Sequence, residues 1–199
     1  MTTRVIKLGG SLFDLPDLAP RFLRWRASQP AACDVVIAGG GKLADAVQDQ
    51  RAARQWDDRE VHWRCIEVMR TTARQLADLL PDATLIDGLL MSWETDGPGN
   101  PLVVLDCGEF LRRVEPTLAG NRLPENQRVT SDSIAARVAV ALAGAELVLL
   151  KSALPPEFNR EQASATGYVD RFFPQAAQPL ATVRCVNLRD DQLRQCLLF

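Results

Sequence analysis

Lysine is nearly missing from this chain. Of its 23 basic residues only Lys7, Lys42 and Lys151 are lysines, and none lies beyond position 151. Histidine occurs once, at His62, which excludes a zinc site built on several histidines and leaves one imidazole for any nucleophile triad. The cysteines, Cys33, Cys65, Cys107, Cys185 and Cys196, are odd in number and form no C-x-x-C pair, so they are expected as reduced, core or half-buried residues. No apolar run is long enough to span a bilayer: "VAVALAGAELVLL" is the longest and is interrupted by Glu146. The first residues run straight into a strand pattern without the features of a signal peptide, so the expected location is cytoplasmic. A net charge of −2 gives no sign of a nucleic-acid or membrane partner.

What is present suits a soluble α/β protein. With 199 residues, 47% of them hydrophobic and 24% charged, the chain can bury a large core within one domain. Apolar, β-rich runs occur at 4–8, 34–38, 83–86, 102–105, 146–150 and 182–188. Their near-continuous apolar character, rather than alternation, points to parallel strands covered on both faces. Helical patterns fill 13–29, 42–55, 58–80, 109–115, 131–142, 168–177 and 190–197. The alternation predicts a three-layer αβα sandwich around a mainly parallel sheet. Residues 93–101, 118–127 and 152–167 read as loops, the first two either solvent-exposed connections or lids.

The three lysines sit at strand ends or beside glycines. Either codon bias left them by accident, or compact cations were kept where phosphate oxygens need them. "RVIKLGGS" (4–11) and "VVIAGGGK" (35–42) each place glycines past the carboxyl end of an early strand, where ligands of open parallel sheets bind. Gly9, Gly10, Gly39, Gly40 and Gly41 permit positive φ and a close approach of backbone N–H groups to an anion, and a helix starts soon after each turn. A P-loop is excluded, because Leu43 follows Gly41-Lys42 and Val36 stands where the first glycine belongs. The looser dinucleotide pattern matches at Gly39, Gly41 and Ala44, yet the next acid ending a strand is Asp87, too distant for a ribose. In "RVTSDSIAARVAVALAGAELVLLKS" (128–152), Thr130 or Ser131 caps a helix with Asp132 in its first turn, and the following strand ends in Lys151. Asp132 either complements the helix dipole or points into the cleft and holds the lysines.

In content and order these segments resemble the amino acid kinase family, over roughly residues 4–152. The resemblance implies a carbamate kinase-like sandwich that transfers phosphoryl groups from ATP, with Mg2+ carried by the nucleotide. It implies that Lys7 contacts the transferring phosphoryl group and that Asp132 organises the catalytic lysines. ATP phosphates would lie over Gly9, Gly10 and Ser11 with help from Lys151, and Gly39, Gly40, Gly41 and Lys42 would line the phosphoryl acceptor. It also implies a small-molecule acceptor and a homo-oligomer. Residues 1–127 would form the acceptor side of a single domain and 128–199 a shortened nucleotide side, since no Asp-Gly follows the strand ending at Lys151 and no later lysine exists.

The short form, with "DDREVHWRCIEVM" (57–69) and "VTSDSIAA", is similar to the small kinases of methanofuran biosynthesis, which convert a phosphomonoester to a diphosphate. That likeness would place His62 beside the acceptor; as a lone histidine on an amphipathic helix it also reads as a buried, hydrogen-bonded residue. Trp63 and Met69 read as core. Two other functions stay open from the residues: a non-catalytic kinase-like protein that binds a nucleotide or phosphometabolite, and a dinucleotide-binding oxidoreductase.

Overall fold

A strand that is apolar at every position needs cover on both of its faces, and the interior of this protein is arranged accordingly. The computed structural model of the chain describes residues 2–88, 100–157 and 159–199. Strands β1 (Thr3–Leu8), β2 (Cys33–Ala38), β3 (Ala83–Asp87), β4 (Leu102–Asp106), β5 (Glu146–Lys151), β6 (Val183–Asn187) and β7 (Gln195–Leu198) form one sheet in the order β3-β4-β2-β1-β5-β6-β7. Every pairing is parallel except β6 with β7. The helices among the described residues are α1 (Leu18–Ala27), α2 (Gly41–Arg54), α3 (Asp58–Leu79), α4 (Cys107–Glu109), α5 (Ser131–Ala141), α6 (Arg160–Ala165) and α7 (Phe173–Ala176).

The period of two along β1 divides its side chains between two cores. Val5 joins Ile37, Leu149 and Ile134 of α5 on one face. Ile6 and Leu8 join Val36, Phe22 and Trp25 of α1 on the other. The long α3 supplies Ile66 and Met69 to the first core and Ala73 and Leu76 to the second. Its start is fixed by a reciprocal capping box between Asp57 and Glu60. By the same alternation Lys7 lies on the Val5 face, towards α5.

From β1 the chain moves to one side through β2, β3 and β4, then returns to lay β5 on the other flank of β1. The carboxyl ends of β1 and β5 therefore meet at the topological switch point, where open α/β sheets hold ligands. At the opposite end of the strands Arg4 and Asp34 form a buried ion pair at 2.7 Å, with Arg26 also 2.7 Å from Asp34.

Several local expectations are corrected. The helix read over 13–29 is a 3-10 helix at Gly10–Asp14 followed by α1, because Leu15, preceding Pro16, is extended. The 109–115 segment starts as α4, widens into a π-helix at Phe110–Val114 and tightens to a 3-10 helix at Glu115–Thr117. Part of the region read as irregular, 152–167, forms α6, whose Glu161 and Gln162 amides donate to the Asn159 side chain. Only Phe173–Ala176 of the 168–177 segment is helical. The 190–197 helix is absent: β7 pairs antiparallel with β6 and buries Leu198 opposite Val183, tertiary contact overriding a local helical pattern. As an edge strand β3 leaves Thr84 and Leu85 exposed, so the expectation of two covered faces fails there. The loop expected at 93–101 lies outside the described residues except for Asn100 and Pro101. The one at 118–127 is pinned from inside: Arg137 Nε donates to Glu115 at 3.2 Å, Arg137 Nη1 to the Ala119 carbonyl, and the Leu123 amide to Glu115.

Candidate active site

A lysine ending a covered strand must bury its ammonium group or meet an anion. Lys7 does both. Its Nζ lies 3.0 Å from Asp132 Oδ1, and Lys151 Nζ donates to Asp132 Oδ2 at 2.9 Å. The three side chains are 7%, 13% and 6% exposed for Lys7, Lys151 and Asp132, so water screens this cluster little. Lys7 approaches Oδ1 away from a hydrogen-bond axis, which leaves that oxygen charge-paired but without an aligned donor.

Sharing one carboxylate between two cations sets the protonation. Burial pushes the Asp132 carboxyl up, but Lys151 and Lys7 outweigh burial and hold it at about 2. Burial pulls Lys7 down; Asp132 opposes this while the like charge of Lys151 adds to it. One carboxylate thus pairs with two ammonium groups at the β1/β5 crevice, with Asp170 also favouring the charged form of Lys7.

Helix α5 delivers Asp132 because its start is tied from outside. The Thr130 hydroxyl accepts weakly from the Asp132 amide at 3.4 Å. Asp170 accepts from the Thr130 amide and hydroxyl, both at 2.9 Å, and from the amide (3.0 Å) and hydroxyl of Ser133. Burial, then the charge of Asp132, raises the Asp170 carboxyl, against the hydrogen bonds from Ser133 and Thr130. No motif around "YVDR" marks Asp170 in the sequence, and the same holds for Tyr168, whose carbonyl accepts from Lys151 and whose ring centroid is 4.6 Å from its Nζ.

The glycines serve a packing purpose as well as the expected one of admitting an anion. Only Gly41 among the five has positive φ (54°). A Cβ on Gly10 would stand 2.2 Å from the Gly41 amide nitrogen, and one on Gly39 would stand 2.6 Å from that of Gly10. The two turns lie backbone against backbone at the ends of neighbouring strands, and their glycines permit that contact. Gly9 faces the cluster: its amide donates to the Leu150 carbonyl at 2.8 Å, and a Cβ there would be 3.8 Å from Lys7 Nζ. Ser11 and Ser152 join the β1 and β5 turns through their hydroxyls at 2.8 Å.

Three cavities border this junction. The largest, about 810 Å³, is lined by Asp132, Lys151, Thr130 and Tyr168, with Arg51 and Arg128 contributing positive charge. Gly40 and His62 line a neighbouring chamber of about 150 Å³ with Met69, Ile134 and Gln127. Ser11 and Lys42, with Gly10 and Gly41, line a third of about 290 Å³ beside Phe13. The structure thus brings Lys7, Asp132, Lys151 and Gly9 together, sets His62 one chamber away, and leaves Lys42 exposed and apart. His62 is buried, and burial lowers its pKa against a hydrogen bond to the Asn126 backbone. Trp63 is partly buried against the first core, to which Met69 belongs, as read from the sequence.

The sequence profile of the amino acid kinase family matches residues 2–153. No curated protein matches the chain. Among solved structures, the uridylate kinase of Archaeoglobus fulgidus superposes with a TM-score of 0.56 at 15% identity, over 92% of this chain and 89% of that one. The UMP kinase of Bacillus anthracis gives 0.60 at 12%, over 96% and 88%. The aspartate kinase of Synechocystis gives 0.61 at 16%, over 93% of this chain but 38% of that one. At these identities the likeness is one of fold: a mostly parallel α/β sandwich.

Proposed function

The chain belongs to the amino acid kinase family, and on that premise we propose that it moves the γ-phosphoryl group of MgATP to a phosphomonoester, giving a diphosphate and ADP. The observation that carries this reading is the pair of ammonium groups held on the two oxygens of Asp132 at the switch point of the sheet. In phosphoryl transfer the protein contributes mainly position and charge. An acceptor phosphate oxygen forms the new bond to phosphorus as the bond to the β–γ bridging oxygen breaks, and ADP leaves with that electron pair. Lys7 neutralises charge on the moving group, Lys151 acts from the nucleotide side, and Asp132 keeps both in place. A phosphate acceptor is already ionised and requires no base, which suits a site whose one nearby imidazole is buried and outside the cluster.

Magnesium enters as part of the nucleotide. Asp132 is engaged by two lysines and Asp170 by Thr130 and Ser133, and no cluster of three or more metal-binding side chains occurs among the described residues. The ion supplies charge neutralisation on the phosphates.

A phosphomonoester acceptor is supported by the uridylate kinases of like fold, whose acceptor is of that class. The likeness of segments 57–69 and 129–136 to the methanofuran kinases supports a role in methanofuran-type cofactor biosynthesis. Gly9, Gly10 and Ser11 are assigned to the ATP phosphates, and Gly39, Gly40, Gly41, Lys42 and His62 to the acceptor. The halves 1–127 and 128–199 are assigned to acceptor and nucleotide, in a cytoplasmic homo-oligomer. No helix among the described residues is long and apolar enough to cross a membrane. The dinucleotide reading loses support, because Gly39 and Gly41 are occupied in contact with Gly10.

The test is ADP release with MgATP and a panel of phosphomonoesters, products identified by mass, for the wild type and Lys7→Ala. Turnover with at least one acceptor, abolished in a folded Lys7→Ala variant, is expected; near-normal activity of that variant would overturn the assignment. A second reading is a kinase-like binding protein without catalysis. A rise in melting temperature with MgATP but no ADP from any acceptor would select it.

A further inference from the structure

We infer that Tyr168 is the positioning residue that turns Lys151 into a fixed phosphate ligand. Lys151 ends β5 two residues beyond Leu149, the register partner of Lys7, and on the same face of the sheet. A four-carbon stem at a strand end is otherwise free to fold back or swing into solvent. Three contacts restrain it: Asp132 Oδ2 accepts one N–H at 2.9 Å, the Tyr168 carbonyl accepts a second, and the Tyr168 ring lies 4.6 Å from Nζ. An ammonium group has three hydrogens, so one remains for a ligand in the cavity of about 810 Å³ that both residues line.

Tyr168 is itself held. Its amide donates to the Ala163 carbonyl at 2.9 Å, it follows Gly167 at φ 75°, and its hydroxyl is buried. Burial, with the neighbouring Cys185 and the charge of Asp132, pushes the phenol far up, so the ring stays neutral and offers Lys151 an uncharged face. It is the chain's single tyrosine, and the lysine it holds is the last one.

The inference rests on the phosphotransferase reading, and calorimetric titration with the magnesium complex of β,γ-imido-ATP separates the two. Tyr168→Leu is expected to weaken binding about ten-fold. Tyr168→Phe, which keeps the ring, stays within about two-fold of the wild type, and Tyr168→Leu adds nothing in a Lys151→Ala background. Melting curves establish folding, and Tyr168→Met replaces the leucine variant if that fails to fold. A wild type that binds the nucleotide while Tyr168→Leu matches it, or an additive loss on top of Lys151→Ala, overturns the inference alone. A wild type that does not bind the nucleotide overturns the parent reading and the inference with it.

Discussion

Replacing Asp132 with asparagine keeps its volume and removes its charge. Lys7, 7% exposed, would then face Lys151 without its contacting carboxylate, and breaking a buried pair in this way costs about 3–5 kcal/mol. The wild type gives a second route to the magnitude. Its Asp132 carboxyl is lowered from 3.8 to about 2, roughly two units and so about 2–3 kcal/mol of stability. Because the folded value is the depressed one, that stability is present above pH 3.8 and is lost as the pH falls through about 2. Asparagine lacks this titration, so the two stability curves are expected to lie about 3–5 kcal/mol apart at neutral pH and to converge in strong acid. At the alkaline end the variant gains relative to the wild type: a buried lysine with a lowered pKa sheds its charge as the pH climbs towards 10.5, and the penalty goes with it. Urea denaturation at several pH values, followed by circular dichroism, reads all three features. An Asp132→Asn protein within about 0.5 kcal/mol of the wild type at neutral pH, with normal turnover, would refute the shared-carboxylate account.

Gly10→Ala should cost about 2–3 kcal/mol, because its Cβ would meet Gly41 backbone at 2.2 Å, whereas Gly9→Ala, whose nearest neighbour is the Leu150 carbonyl at 3.1 Å, should cost less; equal urea midpoints would dismiss the contact between the turns. Arg137→Met should destabilise by about 3–5 kcal/mol by stranding the buried Glu115, and adding Glu115→Leu should recover part of that loss in the same assay. His62 should titrate below 6.5 by NMR, with burial as the main cause, so its contribution to stability falls as the pH drops from 6.5 through the folded value; a midpoint at or above 6.5 would contradict its burial.

The charged cluster was legible from sequence for a physical reason. A lysine inside an apolar strand has few tolerable environments, and a helix cap followed by a strand puts Asp132 and Lys151 at one end of the sheet. Asp170 and Tyr168 were not legible, since they come from short helices and turns whose conformation depends on Asn159, Gly167 and contacts across the fold. The same dependence hid β7, for which the burial of Leu198 against Val183 decides what the local pattern leaves open. The glycine turns are legible in place, and a second cause stands beside the expected one: φ is positive at Gly41, and a Cβ on Gly10, Gly39 or Gly40 would come within 2.6 Å of a neighbouring atom.

Codon bias would account for a surface supplied with arginine but not for where Lys7 and Lys151 stand, on one carboxylate, while Lys42 is exposed and apart from that cluster. Two planar guanidinium groups would compete for both oxygens of one carboxylate, since each prefers to take the pair in a fork. Two ammonium groups can take one oxygen each, and here they do, on Oδ1 and Oδ2. The rare residue is therefore the one whose shape the cluster requires. On this argument Lys7→Arg is not a conservative change: it keeps the charge, displaces Lys151 from Oδ2, and disables the site as thoroughly as alanine does.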